Sequence, residues 1–109
     1  MRLPNANRAI VDEAKLAEYC LSSTHPRGKH KARRFAAFGI TVASVPILKA
    51  ALLEAAQTRE VTAGDADEYG RRYSFDFVLP TAKGPARVRT AWIVRTGEDF
   101  PRLITCYIL

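Results

Sequence analysis

The stretch Tyr73-Ser74-Phe75-Asp76-Phe77-Val78-Leu79 decides the fold, because every second residue in it is aromatic or leucine. A period of two is the pattern of a β-strand with one face against a core. The turn Thr81-Ala82-Lys83-Gly84-Pro85 follows, and the alternation resumes from Arg87 to Arg95. A loop at residues 96–101 and a third strand from Leu103 to Leu109 complete a predicted antiparallel meander.

The apolar residues ahead of this sheet follow a helical period instead. Asp12 is predicted to cap a helix that runs to Cys20, and residues 22–28 are predicted to form a loop. A second helix is expected from Lys29 to Phe38, ending at Gly39.

A third helix is expected from Ser44 to Thr58, with Pro46 in its first turn. The acidic stretch Glu60 to Glu68 is predicted to be a surface loop. Helices followed by strands give an α+β fold class, with N-terminal helices packed on a curved antiparallel sheet of three to four strands.

The length and composition indicate one domain over residues 1–109. The chain is 48% hydrophobic, and its apolar residues are regularly spaced, which excludes a disordered chain. The longest apolar runs, such as Ala50 to Leu53, are far shorter than the about 18 residues of a membrane span. The N-terminus has no apolar signal-peptide core, so we expect no membrane partner.

Cys20 and Cys106 are the two cysteines, and both have apolar neighbours. No CxxC spacing occurs, which favours reduced core residues over a redox pair or a catalytic thiol. The cysteines and the two histidines lack metal-ligand spacing, and no cofactor motif is present, so neither a metal nor a cofactor is expected. The cysteine usage predicts a reducing cytoplasm, with export to a target cell left open.

The charge of the chain points to an anionic partner. The formal net charge is +6, and eight basic but only three acidic residues lie between Met1 and Phe38. A cationic surface of this kind suits a nucleic acid such as RNA, or an acidic protein.

The densest basic cluster is Lys29-His30-Lys31-Ala32-Arg33-Arg34, at the start of the second helix. Cations near a helix N-terminus suit a phosphate, and His30 is able to transfer a proton near neutral pH. The alternative is a solvated basic helix face. His25, in the preceding loop, is interpreted first as a loop-stabilising residue and ranks below His30 for catalysis.

Two further sets of residues lie on the predicted sheet. Arg87 and Arg89 share a strand face, about 7 Å apart, and suit successive phosphates, unless they only make that face soluble. Arg102 opens the last strand, where a direct role for Thr105 competes with an ordinary local hydrogen bond. Trp92 is interpreted as a core residue and not as a base-stacking platform.

Several short motifs spread over nearly the whole chain resemble an uncharacterised bacterial domain family. They comprise Leu3-Pro4-Asn5-Ala6, Lys15-Leu16 with Tyr19 and Leu21, His25-Pro26 with Gly28 and His30-Lys31-Ala32, Phe35, Gly39, Arg89-Thr90-x-Trp92, and Pro101-Arg102-Leu103-x-Thr105. This resemblance indicates kinship and implies no particular chemistry.

The element order also resembles the barnase–EndoU–colicin–RelE group of small toxin ribonucleases, which cut RNA without metal. The resemblance implies that His30 is the general acid or base and that Lys31 and Arg89 stabilise the phosphorane. It further implies that Arg102 and Thr105 position the phosphate. No motif of a characterised member is reproduced residue by residue.

The combined prediction is a metal-independent, toxin-like domain that cleaves RNA by 2′-OH transesterification, with an acidic inhibitor protein as a second partner. The predicted substrate-binding residues are Lys29, Arg33, Arg34 and Arg87. The alternative is a non-catalytic module that binds nucleic acid or protein through the same surface. Convergence of His30, Lys31, Arg89 and Arg102 on one concave surface would favour the enzyme, whereas a scattered arrangement would remove most of the support for it.

Overall fold

A computed structural model describes all residues from Met1 to Leu109. The N-terminal part comprises a 3-10 turn (Ala6–Arg8), α1 (Glu13–Lys15) continuing into a π-helical turn (Leu16–Cys20), α2 (Lys29–Ala37), a second 3-10 turn (Val42–Ser44) and α3 (Val45–Thr58). The C-terminal part comprises the strands β1 (Thr62–Asp67), β2 (Gly70–Thr81), β3 (Gly84–Arg95) and β4 (Pro101–Ile108).

The four strands form one antiparallel sheet in the order β1-β2-β3-β4, which confirms the α+β prediction. Tyr73 pairs with Trp92 and Phe75 with Thr90 across the central pair of strands. The predicted alternation is present, because the inward-facing residues of β2 and β3 are buried and most of those between them are exposed.

The prediction of a surface loop from Glu60 to Glu68 is wrong, because Thr62–Asp67 forms the edge strand β1. All six residues of β1 are exposed, so the strand has no buried face. Its sequence accordingly shows no alternation of apolar and polar residues. Backbone pairing with β2 holds it instead, and its register shifts between Ala63 and Ala66. An edge strand of this kind leaves no hydrophobic signal for sequence reasoning to find.

The predicted helix boundaries agree with the structure to within a residue or two. The Asp12 carboxylate accepts the backbone N–H of Ala14 at 2.9 Å and so caps α1 as expected. Gly39 has a φ of +79°, the left-handed conformation that ends α2. No single helix is long and apolar enough to span a membrane; residues 29–37 and 42–58 reach that length and composition only as a bent pair.

The core combines buried residues of the N-terminal segment, the π-helical turn, α2 and α3 with the inward face of the sheet, and Trp92 is its largest fully buried side chain. Trp92 is 0% exposed and stacks on Phe75 with 5.9 Å between ring centroids. Its Nε1–H donates to the Thr90 hydroxyl, which donates to the Phe75 carbonyl, both at 2.9 Å. The interpretation of Trp92 as a core residue is therefore confirmed.

Gly28 lies where the chain before α2 passes against the π-helical turn. A Cβ at this position would overlap the Tyr19 carbonyl oxygen and lie 3.0 Å from its carbon. We expect Gly28→Ala to lower the free energy of unfolding by about 1–3 kcal/mol, since two backbone segments must move apart. Urea unfolding checks this, with Gly64→Ala as the control, because a Cβ there meets only ordinary contacts at 3.6 Å. Equal stability of the two variants would contradict the prediction.

Candidate functional site

The π-helical turn forms one wall of the candidate site. The N–H of Leu21 donates to the carbonyl of Leu16, five residues earlier, at 2.8 Å. π-helical turns are rare in proteins, and those that occur are frequently at functional sites. This turn leaves the ring of Tyr19 half-buried at the surface and buries Cys20 completely.

The loop after this turn holds the imidazole of His25 in one orientation. The backbone N–H groups of Arg27 and Gly28 both donate to His25 Nδ1 at 3.0 Å. The ring proton of the neutral imidazole is therefore on Nε2, which is a hydrogen-bond donor. The ring also meets the Tyr19 ring edge-on, with 4.7 Å between centroids. The interpretation of His25 as a loop-stabilising residue is confirmed, and the same bonds orient its second nitrogen.

The ammonium group of Lys31 lies between α2 and β4. Lys31 Nζ is 5.2 Å from the ring centroids of both Tyr19 and Tyr107, and it donates to Thr105 Oγ1 at 3.3 Å. Lys31 takes part in none of the ion pairs of the chain. Its charge is thus held by two aromatic faces and a hydroxyl and is not neutralised by a carboxylate.

An irregularity in β4 brings Thr105 to this position. Thr105 pairs with Ala91 but Leu103 pairs with Trp92, so Ile104 is an extra residue on β4. An extra residue of this kind bends a strand and increases its twist. Ile104 and Thr105 consequently both face the same cleft.

This cleft, called here the Lys31 cleft, has a volume of about 460 Å³. It is open to solvent and combines two lysines, one carboxylate and one imidazole. The residues that line it are Ala14, Lys15, Glu18, Tyr19, His25, Lys31, Ile104 and Thr105. A cleft with this composition is able to bind an anion and to transfer protons.

A row of polar side chains continues from the Lys31 cleft across the outward face of the sheet. Tyr107 on β4 is opposite Arg89 on β3, which is in turn opposite Asp76 on β2. Arg89 donates to both carboxylate oxygens of Asp76, at 2.8 and 3.0 Å. Asp76, with a further contribution from Tyr107, raises the pKa of Arg89 above its ordinary value. The Arg89 charge is thus paired but adjoins the cleft through Tyr107.

The two cysteines are free, buried and next to each other beneath this site, in agreement with the prediction of reduced core residues. A hydrogen bond from Cys106 lowers the pKa of Cys20 against the opposing effect of burial, and Thr105 and the Lys31 charge contribute to the same direction. The same contact, together with burial, raises the pKa of Cys106. Cys20 Sγ lies 3.9 Å from Thr105 Oγ1, so Cys20 contacts a residue that lines the cleft.

Among the five predicted catalytic residues, the structure brings Lys31 and Thr105 into direct contact and brings Arg89 near them through Tyr107. His30 is exposed on α2 and lines neither the Lys31 cleft nor any other. Arg102 lies outside the cleft, makes two bonds of 2.9 Å to the Glu98 carboxylate and contacts the Phe100 ring at 5.1 Å. The four side chains His30, Lys31, Arg89 and Arg102 therefore do not share one concave surface.

The predicted substrate-binding residues are distributed over three places. Lys29 and Arg33 line a second cleft on the other side of α2. Arg34 donates to the Leu109 carbonyl at 2.9 Å. Arg87 is exposed on the outward face of β3, beside Arg89.

Sequence reasoning did not include Lys15, Glu18, Tyr19 and Tyr107 among the site residues. The signal for Tyr107 was present, because it is two residues after Thr105 and so shares its strand face. Nothing local in the sequence places residues 15–19 beside β4. No three His, Cys, Asp or Glu side chains are grouped closely enough to hold a metal ion.

A solved structure with a similar fold is the "Contact-dependent growth inhibition toxin - immunity protein complex from Klebsiella pneumoniae 342". The match has a TM-score of 0.69 and covers 92% of this chain and 99% of that chain, at 16% sequence identity. At this identity the similarity demonstrates a common fold. No curated protein matches the sequence.

The sequence does match a protein family over nearly its whole length. The match extends over residues 2–109, which includes the π-helical turn, the His25 loop, α2 and all four strands. The chain therefore belongs to the family described as Domain of unknown function (DUF6883).

Proposed function

We propose that this domain is a toxin-type ribonuclease that acts without a metal ion and uses the Lys31 cleft as its active site. The observation that carries the proposal is the fixed ammonium of Lys31, 3.3 Å from the Thr105 hydroxyl and without a carboxylate partner. A positioned cation stabilises the negative charge that develops on a phosphate in the transition state.

The cleft contains a group for each step of 2′-OH transesterification. Glu18 is the carboxylate that takes the proton from the 2′-hydroxyl, whose oxygen then forms a bond to phosphorus. The bond from phosphorus to the 5′-oxygen breaks, and the ammonium of Lys15 gives the leaving oxygen its proton. Lys31, Thr105 and the Nε2–H of His25 donate to the non-bridging oxygens. The products are a 2′,3′-cyclic phosphate and a 5′-hydroxyl.

Two further observations support a toxin role with a protein partner. The fold is similar to that of one chain of a toxin and immunity protein complex, and this chain carries a net charge of +6. An acidic inhibitor protein would be attracted to the same basic surface that attracts RNA.

Cleavage of RNA in EDTA tests the proposed function. We expect the purified protein to cut total RNA and transfer RNA in the presence of the chelator and to leave 2′,3′-cyclic phosphate ends. We expect His25→Ala to lower the rate about tenfold or more, because the variant loses a donor in the cleft. Salt-sensitive binding without cleavage would instead support the non-catalytic module.

His30→Ala, measured beside His25→Ala, separates the two histidines. The exposed position of His30 predicts a smaller loss of cleavage than the loss in His25→Ala. A larger loss in His30→Ala would move the active site to the exposed face of α2 and contradict the assignment to the Lys31 cleft.

A further inference from the structure

The second cleft beside α2 has no part in the proposed reaction. Its volume is about 430 Å³, and it lies where α2 faces the segment around Ile40 and Thr41. Its cationic side chains are Lys29 and Arg33, its apolar lining includes Leu21 and Ala32, and Ser23 and Thr41 contribute hydroxyl groups. We call it the Arg33 cleft.

The helix itself separates the two clefts. Lys29 and Arg33 are four residues apart and therefore share one side of α2, whereas Lys31 lies on the side that faces β4. Lys29 and Arg33 are both exposed and take part in none of the ion pairs of the chain. Their two charges are thus available to a ligand.

The chemistry of the Arg33 cleft matches that of a nucleotide. Two unpaired cations suit a phosphate, an apolar wall suits the face of a base, and the hydroxyl groups of Ser23 and Thr41 suit base edges or the ribose. We propose that the Arg33 cleft binds a flanking nucleotide of a single-stranded RNA whose reacting phosphate lies in the Lys31 cleft. This inference rests on the proposed ribonuclease function.

The width of α2 sets the distance between the two sites. A helix with its side chains is about 10–12 Å across, which corresponds to roughly three steps of a stacked strand at about 3.4 Å each. A dinucleotide is too short to occupy both clefts, whereas an octanucleotide spans them. The substrate is thus a single-stranded segment of several nucleotides that crosses α2.

A comparison of short and long substrates tests the subsite. In the double variant Lys29→Gln with Arg33→Gln, we expect kcat/KM for an octanucleotide to fall about tenfold while that for a dinucleotide stays unchanged. The matched control is Arg71→Gln with Lys83→Gln, which loses the same charges at exposed positions outside both clefts. A loss that is equal for the two substrates, or equal to that of the control, would overturn the subsite.

Binding provides a second readout that does not require cleavage. With an octanucleotide of 2′-O-methyl RNA, which cannot react, we expect the double variant to reduce the slope of log K against log salt by about 0.7, because one phosphate contact is lost. An unchanged slope would overturn the proposal that the Arg33 cleft binds RNA. It would favour an acidic protein as the ligand of this cleft. If the unaltered chain binds this probe but cuts no RNA, the proposed ribonuclease function fails. The change in slope between the unaltered chain and the double variant still shows whether the Arg33 cleft binds a nucleotide.

Discussion

Replacing Lys31 by methionine is expected to lower the rate of RNA cleavage about 10²–10³-fold, which corresponds to about 2.7–4 kcal/mol of transition-state stabilisation. The variant removes the cation that lies 5.2 Å from both the Tyr19 and Tyr107 rings. Methionine has a similar length and packs well against aromatic rings, so the fold should be retained. The measurement is kcat/KM on a dinucleotide, which occupies the Lys31 cleft alone.

Lys83→Met is the control for this variant, because Lys83 is exposed at the β2–β3 turn and does not line the Lys31 cleft. It removes one positive charge in the same way but should leave cleavage of the dinucleotide within about twofold, since a surface charge remote from the site acts mainly on association. Thermal unfolding of both variants establishes that the fold is intact. Cleavage by Lys31→Met at the rate of this control would refute the assignment of the active site.

Replacing Trp92 by alanine is expected to lower the free energy of unfolding by about 3–5 kcal/mol. Trp92 is 0% exposed and stacks on Phe75, so the substitution leaves a large cavity in the core. It also removes the donor to Thr90. Because Trp92 is the single tryptophan, unfolding in urea should be followed by circular dichroism and not by tryptophan fluorescence.

Trp92→Phe separates the contribution of ring packing from that of the hydrogen bond to Thr90. Phenylalanine retains an aromatic ring against Phe75 but cannot donate to the Thr90 hydroxyl, so we expect a smaller loss than in Trp92→Ala. Thr90 keeps its own bond to the Phe75 carbonyl in this variant. An alanine variant within 1 kcal/mol of the unaltered chain, or equal losses in the two variants, would contradict the central position of Trp92 in the core.

Local patterns were sufficient for most of the fold. Alternation from Tyr73 to Leu79 predicted β2, and the helical period that ends at Gly39 predicted α2, because side-chain direction within one element depends only on its own backbone geometry. The edge strand β1 was missed because it has no such side-chain pattern. All its side chains are exposed, and its backbone pairing with β2 has no counterpart in the pattern of side chains.

The candidate site was predicted only in part, because its residues come from distant parts of the chain. Lys31 and Thr105, 74 residues apart, were both predicted, and the structure joins them by a hydrogen bond. His30 was preferred to His25 because it is flanked by lysines, yet the loop bonds to Nδ1 orient His25 at the cleft. Composition around a residue does not reveal which side of a helix faces the sheet.

The sequence by itself determined the order of helices and strands, the buried position of Trp92 and the excess of positive charge near the N-terminus. Each depends on spacing or composition within a short segment. Only the tertiary structure decided which cations lie close together. It placed Lys31 against β4 and put Lys29 and Arg33 in a separate cleft. The packing of α2 on β4, a bulged edge strand, sets these positions, and that packing depends on contacts between residues far apart in the chain.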